Sequence, residues 1–110
     1  MKYLKEFEII NNGQPKRGDY VIVNYNYGDF HNLNNFLNNN IGKILDINNN
    51  EIYISYNVLE KDMLESIKTY FITYEDNIYK ISLEMEYTDI NFSSNKEDLE
   101  ILLQANKFNL

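Results

Sequence analysis

The sequence predicts a mainly β fold: a small, strongly curved antiparallel barrel of five or six strands with a C-terminal α-helix. Three observations lead there. Short runs rich in β-branched and aromatic residues recur along the chain, clearest at residues 19–25 (DYVIVNY) and 51–57 (EIYISYN). Turn-forming clusters separate these runs, at Asn12-Gly13, Asn48-Asn49-Asn50 and Glu75-Asp76-Asn77. After Ser94 the apolar spacing changes from two residues to three and four.

Taken in order, residues 3–10 alternate imperfectly and predict a first strand, which Asn12-Gly13 would turn. Pro15 cannot donate to a ladder, so the connection ends there. Residues 19–25 then form a strand, and residues 26–40 a long connection. Within it Leu33, Phe36 and Leu37 fall at i, i+3 and i+4, so one helical turn would press three apolar side chains onto the core. The surrounding asparagines argue for turns rather than a long helix.

Residues 41–47 read as a strand, with Gly42 marking a bulge or bend. Asn48-Asn49-Asn50 suits a hairpin loop, because asparagine tolerates left-handed backbone angles. On the return strand Ile52, Ile54 and Tyr56 share one face, and Tyr53 and Ser55 the other. Residues 58–66 are charged and less regular and read as one helical turn or a loop. Residues 68–74 and 78–83 predict a second hairpin, and residues 84–87 extend it, with Glu84 and Glu86 together on its solvent face. Ser94-Asn95-Lys96-Glu97 matches a capping box, opening a helix from about Asn95 to Asn106 with Leu99, Leu102 and Leu103 as its apolar stripe. Phe108 and Leu110 would tuck the end of the chain against the body.

The chain of 110 residues is the size of one domain, with the barrel over about 16–87 and the helix over 94–107. It has no cysteine, which excludes disulfides, thiolate metal sites and a cysteine nucleophile. Residues 1–56 carry six acids and five bases, and residues 57–110 carry eleven acids and five bases, giving a net charge of −7. Phosphate backbones are bound by lysine and arginine, so direct nucleic-acid binding is not expected; a protein partner, basic in character, suits this charge better. Lys2, Lys5, Glu6 and Glu8 interrupt the first ten residues, and no uncharged apolar run nears the roughly 20 residues of a membrane span. The expectation is a cytoplasmic protein without membrane attachment. Abundant Asn, Ile and Tyr, with one Ala, one Arg and one Pro, suggest an AT-rich gene and explain the asparagine runs without a function.

The search for chemistry is mostly negative. His31 is the only histidine, so histidine pairs and His-rich metal sites are unavailable. Gly13 and Gly18 match no phosphate-binding fingerprint, and Lys16-Arg17 is a lone basic pair. No catalytic residue, metal or cofactor is assigned. Glu84 and Glu86 are the candidate acidic surface. The tyrosines are the more informative residues: Tyr25, Tyr27 and Phe30 stand at the mouth of the long connection, Phe36 lies within it, and Tyr53 points away from the apolar face of its strand. Exposed rings on an acidic domain would attract a cationic group by cation-π and Coulomb attraction together.

The order Lys16-Arg17-Gly18-Asp19-Tyr20-Val21-Ile22-Val23, then Ile41-Gly42-Lys43-Ile44, then Glu51-Ile52-Tyr53-Ile54-Ser55-Tyr56, resembles SH3-like small barrels of the Tudor, KOW and BAH kind over residues 16–87. The resemblance implies a binding module whose long connection, residues 26–40, and neighbouring aromatics form the recognition edge. No complete Tudor-type cage maps onto the chain. Residues 92–100 (FSSNKEDLE) and 106–110 (NKFNL) also resemble short proteins of AT-rich large DNA viruses and phages, which would place the protein in a host cytoplasm.

Two functions compete. The first is a non-enzymatic protein-interaction module using Tyr25, Tyr27, Phe30, Phe36 and Tyr53. The second is an acidic viral or mobile-element inhibitor, a nucleic-acid mimic whose carboxylates occupy a basic groove on a host defence or nucleic-acid-binding protein. An enzyme built on Glu84 and Glu86 is a third, weaker class, and a homo-oligomer is compatible with all three.

Overall fold

A tight turn launches the first strand. Gly18 takes a φ of +93°, open to glycine, and the Asp19 side chain accepts the Lys16 amide at 3.0 Å, which gives this buried polar residue a partner. The computed structural model describes residues 13–28, 31–57 and 72–107. Strand β1 is Tyr20–Tyr25, helix α1 His31–Asn39, β2 Gly42–Ile47, β3 Glu51–Tyr56, β4 Ile72–Glu75 and β5 Ile78–Glu84. A single 3-10 turn, Met85–Tyr87, leads into β6, Thr88–Ser93, and helix α2, Lys96–Lys107, follows.

All strand pairs are antiparallel, in the order β4-β5-β3-β2-β1-β6. The mainly β fold with a C-terminal helix is as predicted, but the barrel is not: among the described residues β4 and β6 are the two edges, and the sheet stays open. The predicted strand at 3–10, the helical turn or loop at 58–66, the start of the strand at 68–74, and Phe30, Phe108 and Leu110 lie outside the described residues.

One face of the sheet gathers Val21, Val23, Tyr25, Ile44, Ile52, Ile54, Tyr56, Ile81 and Leu83, with Leu33, Phe36 and Leu37 of α1 laid on it. Helix α1 is longer than the single turn predicted. Its five asparagines cost at most about 0.7 kcal/mol each relative to alanine, at most about 3.5 kcal/mol together, whereas three buried apolar side chains return about 1.5–3 kcal/mol apiece. Several asparagines also bond: Asn34 Oδ1 accepts the Tyr25 amide at 2.8 Å, and the Asn39 and Asn40 amides donate to the carbonyls of Asn35 and Phe36. Helix α2 lies against β1 and β6, where Ile22 and Leu99 are buried outside the main cluster.

The two hairpins form as expected. Asn48 Oδ1 accepts the amides of Asn50 and Glu51, closing the β2–β3 loop, and Asp76 and Asn77 take φ of 54° and 65° in a two-residue β4–β5 turn. Gly42 marks no bulge; the ladder shifts later, between Ile44 and Asp46, and Gly42 is needed because other side chains fill the space beside it. Residues 84–87 do not prolong β5 as a strand. Glu84 ends β5 and the chain coils through Met85–Tyr87, so Glu84 and Glu86 do not share a strand face. The α2 cap also shifts by one residue: Asn95 Oδ1, not Ser94, accepts the Glu97 amide, while Ser93 donates to Asp98.

Candidate functional site: an aromatic and acidic corner

The end of β1 and the 3-10 turn meet where the Asn26 amide donates to the Tyr87 carbonyl at 2.8 Å. This contact brings Tyr27 and Tyr87 together, with ring centroids 4.6 Å apart and planes tilted by 39°. Tyr25 stands 6.3 Å behind Tyr27. The three rings differ in exposure: Tyr25 is 4% exposed, Tyr27 is 44% exposed and Tyr87 is half-buried. Tyr27 is therefore the solvent-facing ring, Tyr87 props it, and Tyr25 anchors both to the core.

Carboxylates surround these rings. Burial first, then the Glu84 charge, holds the Tyr25 phenol above its ordinary pKa, and Glu86 does so first for Tyr87. Glu84 and Glu86 thus bring negative charge to the aromatic corner. Asp89 adds a third carboxylate, accepting the Asn26 side-chain amide at 3.1 Å.

Between the 3-10 turn and the β2–β3 loop lies a cleft of about 590 Å³, lined by Asn49, Asn50, Glu51, Glu84, Met85 and Glu86. The Met85 amide donates to the Asn50 carbonyl at 2.8 Å and holds the two walls together. Glu51 and Glu84 are direct partners in the β3–β5 register, an arrangement of like charges that costs stability. Ser82 donates its hydroxyl to Glu51 and relieves part of that cost.

The predicted site residues thus divide. Tyr27, Glu84 and Glu86 come together, the two glutamates through the turn rather than through a strand face. Tyr25 and Phe36 are core residues; Phe36 meets Tyr56 edge-on at 5.1 Å under α1. Tyr53 belongs to the opposite face of the sheet, opposed by Ser82 and Asp46. Sequence reasoning missed Tyr87, Glu51 and Asp89 as site residues. Tyr87 adjoins Glu86, and that pairing was the one local signal of its role.

Among the described residues no group of three or more histidine or acidic side chains is placed to hold a metal ion, and no helix is long and apolar enough to cross a membrane. His31 opens α1 on the surface. No protein-family model, curated protein or solved structure matches the chain.

Proposed function

We propose that the protein is a non-enzymatic interaction module that captures a basic segment of a partner protein at the Tyr27–Tyr87 corner. The observation that carries this reading is the exposed Tyr27 ring, held on Tyr87 and bordered by Glu84, Glu86 and Asp89. A cation above such a ring gains from its quadrupole and from the carboxylates at once. Because Tyr27 and Tyr87 touch each other, no gap between them admits a methylated ammonium group. The outer face of Tyr27 instead suits a flat guanidinium, whose edge can bond carboxylates. In an SH3-like module the long connection would form the recognition edge, and here Tyr27 stands at the start of that connection.

A second reading rests on the acidic cleft. Glu51, Glu84 and Glu86 in its lining would let the protein act as an acidic mimic filling a basic groove on a host factor.

Peptide binding separates the two. Fluorescence anisotropy with arginine-rich, lysine-rich and acidic peptides should show preference for the arginine-rich set, lost in Tyr27→Ala. Binding that ignores Tyr27 but weakens steeply with salt and in Glu84→Lys with Glu86→Lys would favour the mimic. Equal binding of basic and acidic peptides would sink both.

A further inference from the structure

The composition of the chain decides what happens to a tyrosine that loses an electron. There are ten tyrosines and neither cysteine nor tryptophan, so no thiol or indole is present to quench a tyrosyl radical. Phenols and methionine are left as its partners within the chain, and among the described residues the one thioether, Met85, is partly buried against the core. The fate of an oxidised tyrosine is then set by the ring that stands beside it.

Among the described residues two tyrosine pairs have ring centroids 4.6 Å apart, Tyr27 with Tyr87 and Tyr74 with Tyr79. Tyr74 and Tyr79 face each other across the β4–β5 ladder and meet edge to face, at 64°. Tyr27 and Tyr87 are inclined by only 39°. Two phenoxyl radicals join through the ring carbons beside the oxygen, which approach each other when the rings overlap, so the smaller tilt favours the bond. The backbone enforces this approach, because Asn26, next to Tyr27, donates its amide to the Tyr87 carbonyl at 2.8 Å. Tyr27, 44% exposed, can be oxidised from solvent, and half-buried Tyr87 stands behind it.

We propose that Tyr27 and Tyr87 form an oxidative cross-linking site, coupled to dityrosine by a haem peroxidase with hydrogen peroxide. One-electron oxidation removes an electron and the phenolic proton from Tyr27, and the radical exchanges with the Tyr87 phenol in contact with it. A second oxidation of Tyr27 leaves two radicals side by side. Their unpaired electrons make one carbon–carbon bond between ortho carbons, and the ortho hydrogen of each ring moves to its oxygen, restoring both phenols. Two electrons and two protons have left the pair; the peroxide takes them up and becomes two waters. The bond makes permanent the corner that the Asn26–Tyr87 hydrogen bond holds, locking the start of the connection to the 3-10 turn. This inference needs the ring contact alone and stands whether or not the corner binds a basic segment.

The test treats the dilute full chain with a haem peroxidase and hydrogen peroxide, reads dityrosine fluorescence, and maps cross-linked peptides of the monomer by mass spectrometry. The monomer should become fluorescent, lose the mass of two hydrogens and yield a peptide joining Tyr27 to Tyr87. Tyr27→Phe and Tyr87→Phe keep both rings packed, and each should remove that product, while Tyr74→Phe should leave it unchanged. Unfolding in urea should lower its yield by about tenfold or more, because the fold supplies the proximity. Cross-links that map to Tyr74 and Tyr79, or that form only between chains, would overturn the inference. So would undiminished monomer cross-linking in Tyr27→Phe, an equal yield in urea, or Met85 sulfoxide in place of dityrosine.

Discussion

The Tyr56 ring occupies the space where residue 42 would carry its side chain. A Cβ built on Gly42 would fall 2.4 Å from Ile54 Cγ2 and 2.7 Å from Tyr56 Cζ. Both neighbours belong to the buried face of β3, so neither has open space to retreat into. Gly42→Ala is therefore expected to destabilise the protein by about 1–3 kcal/mol, the usual cost of overpacking a filled core. Urea denaturation checks this; a midpoint equal to that of the wild type would show that β3 yields freely.

Tyr56 itself gives the opposite sign. Its hydroxyl is buried without a partner among the described residues, and an unsatisfied donor costs about 1–3 kcal/mol. Tyr56→Phe keeps the ring that packs on Phe36 and should leave stability equal or raise it by up to about 1 kcal/mol, read from urea midpoints.

Alkaline pH extends that argument. Burial pushes the Tyr56 phenol well above its ordinary value near 10, so the folded state holds this proton more tightly than the unfolded chain. The contribution is whole below about pH 10 and is lost as pH rises towards the folded value. Between pH 10 and 12 the wild type should lose stability relative to Tyr56→Phe by about 1.4 kcal/mol per pH unit. Parallel urea midpoints for the two proteins across that range would show the phenol is not held neutral.

The asparagines of α1 predict a contrast between identical residues. Asn34 accepts the Tyr25 amide and ties the helix to the end of β1. Asn34→Ala should cost about 1–2 kcal/mol, because it leaves a backbone donor unpaired. Asn38 is half-buried and holds no hydrogen bond through its side chain among the described residues, so Asn38→Ala should stabilise by a few tenths of a kcal/mol through helix propensity alone. Thermal melts of the pair suffice; equal effects would mean that Asn34 is no anchor.

These residues also show what the sequence reveals and where it stops. The i, i+3, i+4 spacing of Leu33, Phe36 and Leu37 exposes the buried stripe of α1, but the bonds of Asn34, Asn39 and Asn40 depend on backbone groups that only the fold supplies. Period-2 patterns reveal β1, β2, β3 and β5, since each buries a regular face. Strand β6 was not foreseen because TDINFS is an edge strand whose only apolar residues are Ile90 and Phe92. The alternation of Leu83, Met85 and Tyr87 passes unbroken through a 3-10 turn, so periodicity could not reveal the coil that gathers Glu84 and Glu86 into one cleft. Closure of a sheet is a property of its edges, and no local pattern encoded which strands those would be.

Tyr25 and Tyr27 stand two residues apart and read alike in sequence, yet the fold gives them different work. Tyr25 ends β1 with its ring in the core, whereas Tyr27 lies beyond the strand with nearly half its surface in solvent. Tyr25→Ala should cost about 3–5 kcal/mol of stability, as for other large aromatic truncations. Tyr27→Ala loses one side of a ring pair, worth about 0.5–1.5 kcal/mol, and should melt within a few degrees of the wild type. Binding should reverse this ranking. With an arginine-rich peptide, Tyr27→Ala should lose roughly 1–2 kcal/mol of affinity, about 5- to 30-fold, while Tyr27→Phe keeps most of it because the ring face is retained. Calorimetric titration beside thermal melts reads both quantities. If Tyr27→Phe binds as weakly as Tyr27→Ala, the hydroxyl rather than the ring face makes the contact, and the cation-π account of this corner fails.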